Sequence, residues 1–141
     1  MSQVAQVQIV RETLLDIPAI VSLTAHDSII NVFWENVPEG IAYPYIVIFH
    51  QYGGDKYETR VSCVDTVWRI VGYTKNHADV PAFSAAIHEL AGKELVKPAT
   101  LNAVLPVGTV QEVQSIYQTD MLQNQTIHMI GGLYRFRMTN I

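Results

Sequence analysis

Residues 44–95 place the tightest limit on how this chain can fold, because an apolar segment, a polar break, a second long apolar segment and an amphipathic stretch follow without a linker. Tyr45-Ile46-Val47-Ile48-Phe49 is too continuously apolar for a strand with one wet face. Gly53-Gly54-Asp55-Lys56 breaks it and residues 61–73 run back, which predicts a long hairpin turning at the two glycines. Asp79-Val80-Pro81 then supplies an N-cap and an early proline, and Phe83, Ala86, Ile87 and Leu90 make one helical stripe able to lie across the hairpin. Lys97-Pro98 is the expected end of that helix.

The flanking elements follow from the same periodicities. Val4, Val7, Val10 and Leu14 recur at helical spacing, and Asp16-Ile17-Pro18 interrupts them before a short second turn carrying Ile20, Val21 and Leu23. Residues 28–34 are rich in Ile, Val, Phe and Trp and read as a strand ending at Val37-Pro38-Glu39-Gly40. Past a proline-bounded connector at 99–106, residues 109–117 read as a strand with many Gln and Ser side chains, suited to a sheet edge or to a surface facing another subunit. Gly131-Gly132 is expected to introduce the last strand, where Tyr134, Phe136 and Met138 alternate with Leu133, Arg135 and Arg137. In the return strand, Val64, Trp68 and Ile70 make a core face, while Asp65 and Arg69 flank Val67 on the other face and are placed to pair with charges on a neighbouring strand or subunit. The expected fold class is α+β, a mainly antiparallel sheet with a long hairpin packed against two main helices.

Composition narrows the function classes. A chain of 141 residues is one domain by the usual prior and can bury roughly 68 to 70% of the surface exposed when unfolded. Hydrophobic residues make up 49% and charged ones 16%, so part of the apolar surface is expected to be covered by partners. The net charge of -4, with nine scattered basic residues, lacks the electrostatic footprint of a tight nucleic-acid binder. A single cysteine excludes an intrachain disulfide and a multi-thiolate zinc site. No basic leader follows Met1 and no apolar run approaches the ~18 residues of a membrane span, so the expectation is a chain made in the cytosol.

No residue set announces a reaction. His77 and Asp79 sit two apart with His88 further on, but His88 falls opposite the Phe83, Ile87 and Leu90 stripe, so the three are not expected to converge on a metal. His26 and His50 are lone signals, and Cys63 reads as a packed thiol rather than a nucleophile. Gly53-Gly54 and Gly131-Gly132 lack the spacing of phosphate-wrapping loops and read as turn glycines.

An N-terminal apolar helix, Val37-Pro38, Pro44-Tyr45-Ile46-Val47-Ile48, Val67-Trp68-Arg69-Ile70, the Ala/Leu helix at 82–95 and the ending His128-Met129-Ile130-Gly131-Gly132-Leu133-Tyr134-Arg135-Phe136-Arg137 recur in one order. In that order and length the chain resembles the tail terminator or tail completion proteins of long-tailed bacteriophages, the group that includes the lambda-type minor tail protein U. The resemblance spans almost the whole chain and implies one tail-terminator-like domain over residues 1–141, without enzymatic activity or cofactor. It further implies a homohexameric ring at the head-proximal end of the tail tube, which stops tube growth and offers the surface to which the head joins. The implied partners are other copies of the chain, the tail tube protein and a head connector or neck protein, with DNA passing through the ring without sequence-specific binding and no membrane. The implied location is the tail or neck of the virion, after assembly in the host cytoplasm.

The candidate partner contacts are the polar hairpin tip, Gly53, Gly54, Asp55, Lys56, Glu58 and Arg60, together with Gln111, Glu112 and Gln114 on the polar strand, because loops on rigid strands commonly carry recognition. Two other readings stand beside the ring: another neck or head-completion component, and a small-molecule binding or hydrolytic domain whose pocket is lined by Trp34, Tyr43, Tyr45, His50 and Trp68.

Overall fold

The computed structural model describes residues 2–58, 61–99 and 108–139, with backbone alone at 54–58, 61–63 and 139. Helix α1 (Gln3–Leu15) starts where the Ser2 hydroxyl accepts the Ala5 N–H at 3.2 Å, satisfying one of the free amides of the first turn. It buries Val7, Ile9, Val10 and Leu14, whereas Val4, expected on that stripe, lies in the first turn and is exposed. Pro18 opens α2 (Pro18–Thr24), which buries Ile20, so the short second turn expected there is an α-helix that joins the two main ones, three among the described residues.

The single strand expected over 28–34 is broken. Asp27 and Ser28 both take positive φ, 50° and 69°, and make the turn of a small hairpin between β1 (Ala25–His26) and β2 (Ile29–Ile30). The strand resumes as β3 (Val32–Trp34), which pairs parallel with the start of β4 (Tyr45–Glu58). β4 and β5 (Val61–Thr74) form the predicted hairpin, antiparallel from Tyr45↔Tyr73 to Glu58↔Val61. With 14 residues each, these strands reach about 45 Å at the usual rise. β5 pairs on its other side with β7 (Gln125–Thr139), and β7 with β6 (Gln111–Leu122), giving the order β3-β4-β5-β7-β6 with every pair antiparallel except β3 and β4.

Both glycine pairs lie inside strands rather than at turns. Gly53 and Gly54 pair with Thr66 and Asp65, just past a bulge between His50 and Tyr52. Gly53 has φ 97°, and a Cβ there would collide with the Asp65 carbonyl oxygen, so the residue serves a close backbone approach. Gly131 is likewise mid-strand, where a Cβ would meet the Ile70 carbonyl oxygen. The actual turn before β7 is made by Gln123 and Asn124, both at positive φ. The connector expected at 99–106 lies, apart from Ala99, outside the described residues.

Helix α3 (Val80–His88) is shorter than expected and is entered differently. Asn76, not Asp79, supplies the cap: its side chain accepts the Ala78 N–H at 3.0 Å and starts a 3-10 turn (His77–Asp79), while Asp79 accepts the Thr74 hydroxyl at 3.3 Å. The helix ends at His88 and not at Lys97, because Gly92 takes φ 80° and the chain beyond it bonds elsewhere. Gly92 N–H donates to Val110 O at 2.8 Å and Val110 N–H to Lys93 O at 2.9 Å, a short ladder extended by the Glu94↔Thr109 bridge. The predicted stripe holds: Phe83, Ala86, Ile87 and Leu90 are all buried.

All three helices share one apolar cluster with a single face of the sheet, formed by Ile46, Ile48, Val64, Trp68, Ile70, Tyr134, Phe136 and Met138. Thr13 ties the layers together, donating its hydroxyl to Ile9 O at 2.7 Å and accepting the Val96 N–H at 3.0 Å. Tyr134 is pushed above the ordinary phenol range, first by burial and then by the charge of Glu112.

Two measurements check this packing. Leu90→Ala removes a fully buried side chain and is expected to lose about 2–5 kcal/mol in chemical denaturation; an unchanged midpoint would mean α3 does not pack as described. Because the raised value of Tyr134 means the folded state holds the proton more tightly, its contribution is complete below pH 10 and is lost as pH climbs past that ordinary value. Tyr134→Phe is therefore expected to flatten the alkaline fall in stability measured by denaturant titration from pH 8 to 11.

Candidate assembly surface

Strand β6 closes one side of the sheet, and its outer edge has no strand partner among the described residues. Of its residues only Ile116 is partly covered, and Val113, Tyr117, Met121 and Leu122 stand exposed, the last two at 66% and 56%. The strand contains no Lys, Arg or Pro, the residues that usually blunt a free edge. An edge strand of this length with four exposed apolar side chains is a template for another chain. At the opposite side of the sheet, β3 covers β4 only from Ile46 to Ile48, so among the described residues the outer edge of β4 is also free beyond that point. Tyr52 is exposed there.

The polar strand expected from the sequence at 109–117 is thus a true edge, longer than predicted. Glu112 is held by His88, whose Nδ1 lies 3.1 Å from Oε2, and a bulge between Glu112 and Gln114 bends the strand at that point. Gln111, Glu112 and Gln114 sit opposite Arg135, Tyr134 and Leu133 of β7. Gly53, Gly54, Asp55, Lys56 and Glu58 are not a loop tip but paired residues of β4, while Arg60 lies outside the described residues. The two predicted sets therefore occupy the same end of the sheet but do not touch, because β5 and β7 run between them.

What lies between them is a charged cluster that the site prediction passed over. Asp65 pairs in register with Gly54 on one side and Arg137 on the other. Its carboxylate lies 3.4 Å from Arg135 Nε and 4.0 Å from Arg137 Nη2. Asp65 therefore pairs across a neighbouring strand, one of its two expected options, whereas Arg69 lies over the Phe49 ring at 5.7 Å. The alternation of Arg135 and Arg137 in the last strand was the signal available for this cluster.

The residues expected to line a small-molecule pocket do not converge. Trp68 is fully buried on the helix-facing side, its indole N–H donating to the Thr66 hydroxyl at 2.9 Å, and His50 meets its ring edge-on at 5.1 Å. Tyr43 and Tyr45 instead belong to an aromatic group with Phe33 and Tyr73 on the other face of the sheet. Of the remaining chemistry-bearing side chains, His26 Nε2 contacts Pro44 O at 3.2 Å and His128 Nδ1 contacts the Tyr117 hydroxyl at 3.1 Å. His77 packs its ring on His128, and the Cys63 side chain lies outside the described residues. Among the described residues, no three His, Cys, Asp or Glu side chains cluster closely enough to hold a metal ion, and no helix is long and apolar enough to cross a membrane.

No family model and no curated protein sequence matches the chain. Its fold is shared with a chain from the virion of a native gene transfer agent particle, at a TM-score of 0.69 and 14% sequence identity. The likeness covers 99% of this chain and 100% of that one, so the two folds correspond from end to end.

Proposed function

We propose that this chain is a structural component of a phage-type virion, a ring-forming protein at the head-proximal end of a tail tube that ends tube growth and presents the surface for head joining. The observation that carries the reading is the pair of strand edges, at the two sides of one sheet, that have no strand partner among the described residues. A head-to-tail contact needs two different patches on each subunit, and it builds a closed ring when the rotation between neighbours closes. Among the described residues, β6 offers an edge with four exposed apolar side chains on an otherwise polar strand, and β4 beyond Ile48 offers a second one facing the other way. The end-to-end likeness to a gene transfer agent virion chain supports a virion role, and the resemblance of residue order to tail terminators supports the position at the end of the tube.

In this reading the ring is a homohexamer with the tube protein on one rim and a head connector or neck protein on the other. DNA passes through its lumen without base-specific contact, and no catalysis takes place on the chain. The residues predicted from sequence as partner contacts keep that role in altered form: Gln111, Glu112 and Gln114 as part of the β6 edge, and 53–58 as part of the β4 edge rather than as a projecting loop.

The test is assembly. Native mass spectrometry or sedimentation velocity, with and without purified tail tubes, is expected to find a closed oligomer of this chain. Val113→Lys with Met121→Lys puts two charges on exposed positions of the edge; stability is expected to change by no more than about 0.5 kcal/mol per site while association weakens at least tenfold. A variant that still forms the full oligomer would remove β6 from the contact. An oligomer that binds head connectors but not tubes would move the protein to another place in the neck.

A further inference from the structure

The sheet face turned away from the helices is graded from aromatic to basic. At one end Tyr45 stacks on Tyr73 with ring centroids 5.2 Å apart and lies tilted against Tyr43 at 5.0 Å. Val47, Val67 and Val71 are buried in the middle. Arg69 on β5 lies between Val71 and Val67, and Arg135 and Arg137 on β7 stand further toward the other end, all on one face by the pairings Arg69↔Leu133, Val67↔Arg135 and Asp65↔Arg137. Arg69 and Arg135, and likewise Arg135 and Arg137, are on the order of 7 Å apart at their origins, and Arg69 and Arg137 about 14 Å. Three of the nine Lys and Arg residues of a chain with net charge -4 are therefore gathered on one patch.

The arginines are incompletely used by the fold. Arg135 and Arg137 share the Asp65 carboxylate, and the Arg135 Nε is buried with no aligned hydrogen-bond acceptor although it lies 3.4 Å from Asp65 Oδ1. Arg137 is 63% exposed and only 4.0 Å from that carboxylate, too far for a hydrogen bond. Guanidinium groups favour bidentate pairing with oxyanions, and among the described residues neither has it. Beside them a recess of about 250 Å³ is lined also by Gly108, Thr109 and Gln111, which add a hydroxyl and an amide as donors. One nearby aromatic ring, Phe49, is covered by the Arg69 guanidinium.

We infer that this row of arginines on the open face, Arg69, Arg135 and Arg137 with the Thr109 and Gln111 recess, is a contact site for the phosphodiester backbone of duplex DNA. The patch supplies cations and hydrogen-bond donors, which is the chemistry of phosphate contact, and the exposed Tyr52 lies in the same row of the face at the pairing Tyr52↔Val67. Asp65 sits between the two β7 arginines and offsets part of their charge, which weakens their grip, while the acidic remainder of the chain opposes tight binding. The product is weak, salt-sensitive contact suited to DNA that moves. The choice of DNA over other phosphates rests on the virion reading above; the site itself rests on the geometry.

The experiment is fluorescence anisotropy of a labelled mixed-sequence duplex with the full chain over a range of salt concentrations. Three phosphate contacts predict a log–log salt slope of about -2 to -3, and Arg137→Gln and Arg69→Gln should each reduce its magnitude by about 1. Arg137→Lys should keep the slope, Asp65→Asn should tighten binding, and Arg11→Gln on α1, which alters net charge equally, should leave the slope unchanged. Thermal melts of each variant separate loss of the site from loss of the fold. No duplex binding at low salt, or binding indifferent to Arg69 and Arg137, overturns the inference, as does saturable uptake of inorganic phosphate without any of duplex. Native mass spectra of the same variants keep the two readings apart: loss of DNA contact in an intact ring concerns this patch alone, whereas Arg-dependent DNA contact by a chain that never forms a ring supports the patch and counts against the ring.

Discussion

Strand β5 is hydrogen-bonded on both sides along nearly its full length, to β4 from Val61 to Tyr73 and to β7 from Cys63 to Thr74, and the rest of the molecule takes its register from that double pairing. A one-residue slip on either side would reverse the two faces of a strand, exposing Trp68 and burying Asp65 and Arg69. Slippage is opposed from within. The largest core side chain, Trp68, has its only donor satisfied by Thr66 two residues away, so it enters the core without an unpaired group. Phe83 of α3 lies so close over Gly72 that a Cβ there would be 2.6 Å from its ring, which locks the helix to one point of β5.

A helical layer on one face and none described on the other explains how a chain of this composition distributes its apolar residues. The helix-facing side consumes the large aliphatic and aromatic side chains, while the open face buries only a short valine belt between aromatic and charged ends. Polar contacts sit at the margins: an ion pair of Lys93 with Asp16 at 2.8 Å, and a contact of His88 with the Glu112 carboxylate at 3.1 Å. Exposed pairs of this kind contribute roughly 0–1 kcal/mol each and serve mainly to orient the segments they join. The apolar surplus appears instead on β6, where covering Val113, Met121 and Leu122 requires a surface that this chain does not itself provide among its described residues.

The likeness to a virion chain at 14% identity fits this division. At such identity few side chains are held in common, yet the element order persists from end to end. A sheet whose registers are fixed by backbone pairing tolerates wide exchange of surface residues, so a fold can be shared at low identity.

Much was legible in the sequence where periodicity alone decides the outcome. The long hairpin, the Phe83-Ala86-Ile87-Leu90 stripe, the two N-terminal helices, the alternation of β7 and the polar edge at β6 all follow from local spacing, because a side chain's direction in a helix or strand repeats with a fixed period. Three features were not legible, for one shared reason. Gly53-Gly54 and Gly131-Gly132 look like turn signals, but their purpose is to let a neighbouring backbone come close, and that neighbour lies far away in sequence. The end of α3 at His88 is set by bonds between 92–94 and 108–110, which compete with continuation of the helix. Charges scattered along the chain as Asp65, Arg69, Arg135 and Arg137 become one patch only when β5 and β7 pair in register. Local spacing thus determined the elements and their inward faces, while tertiary pairing decided which strand edges stay open and which distant charges meet, because those depend on contacts between segments that no local pattern encodes.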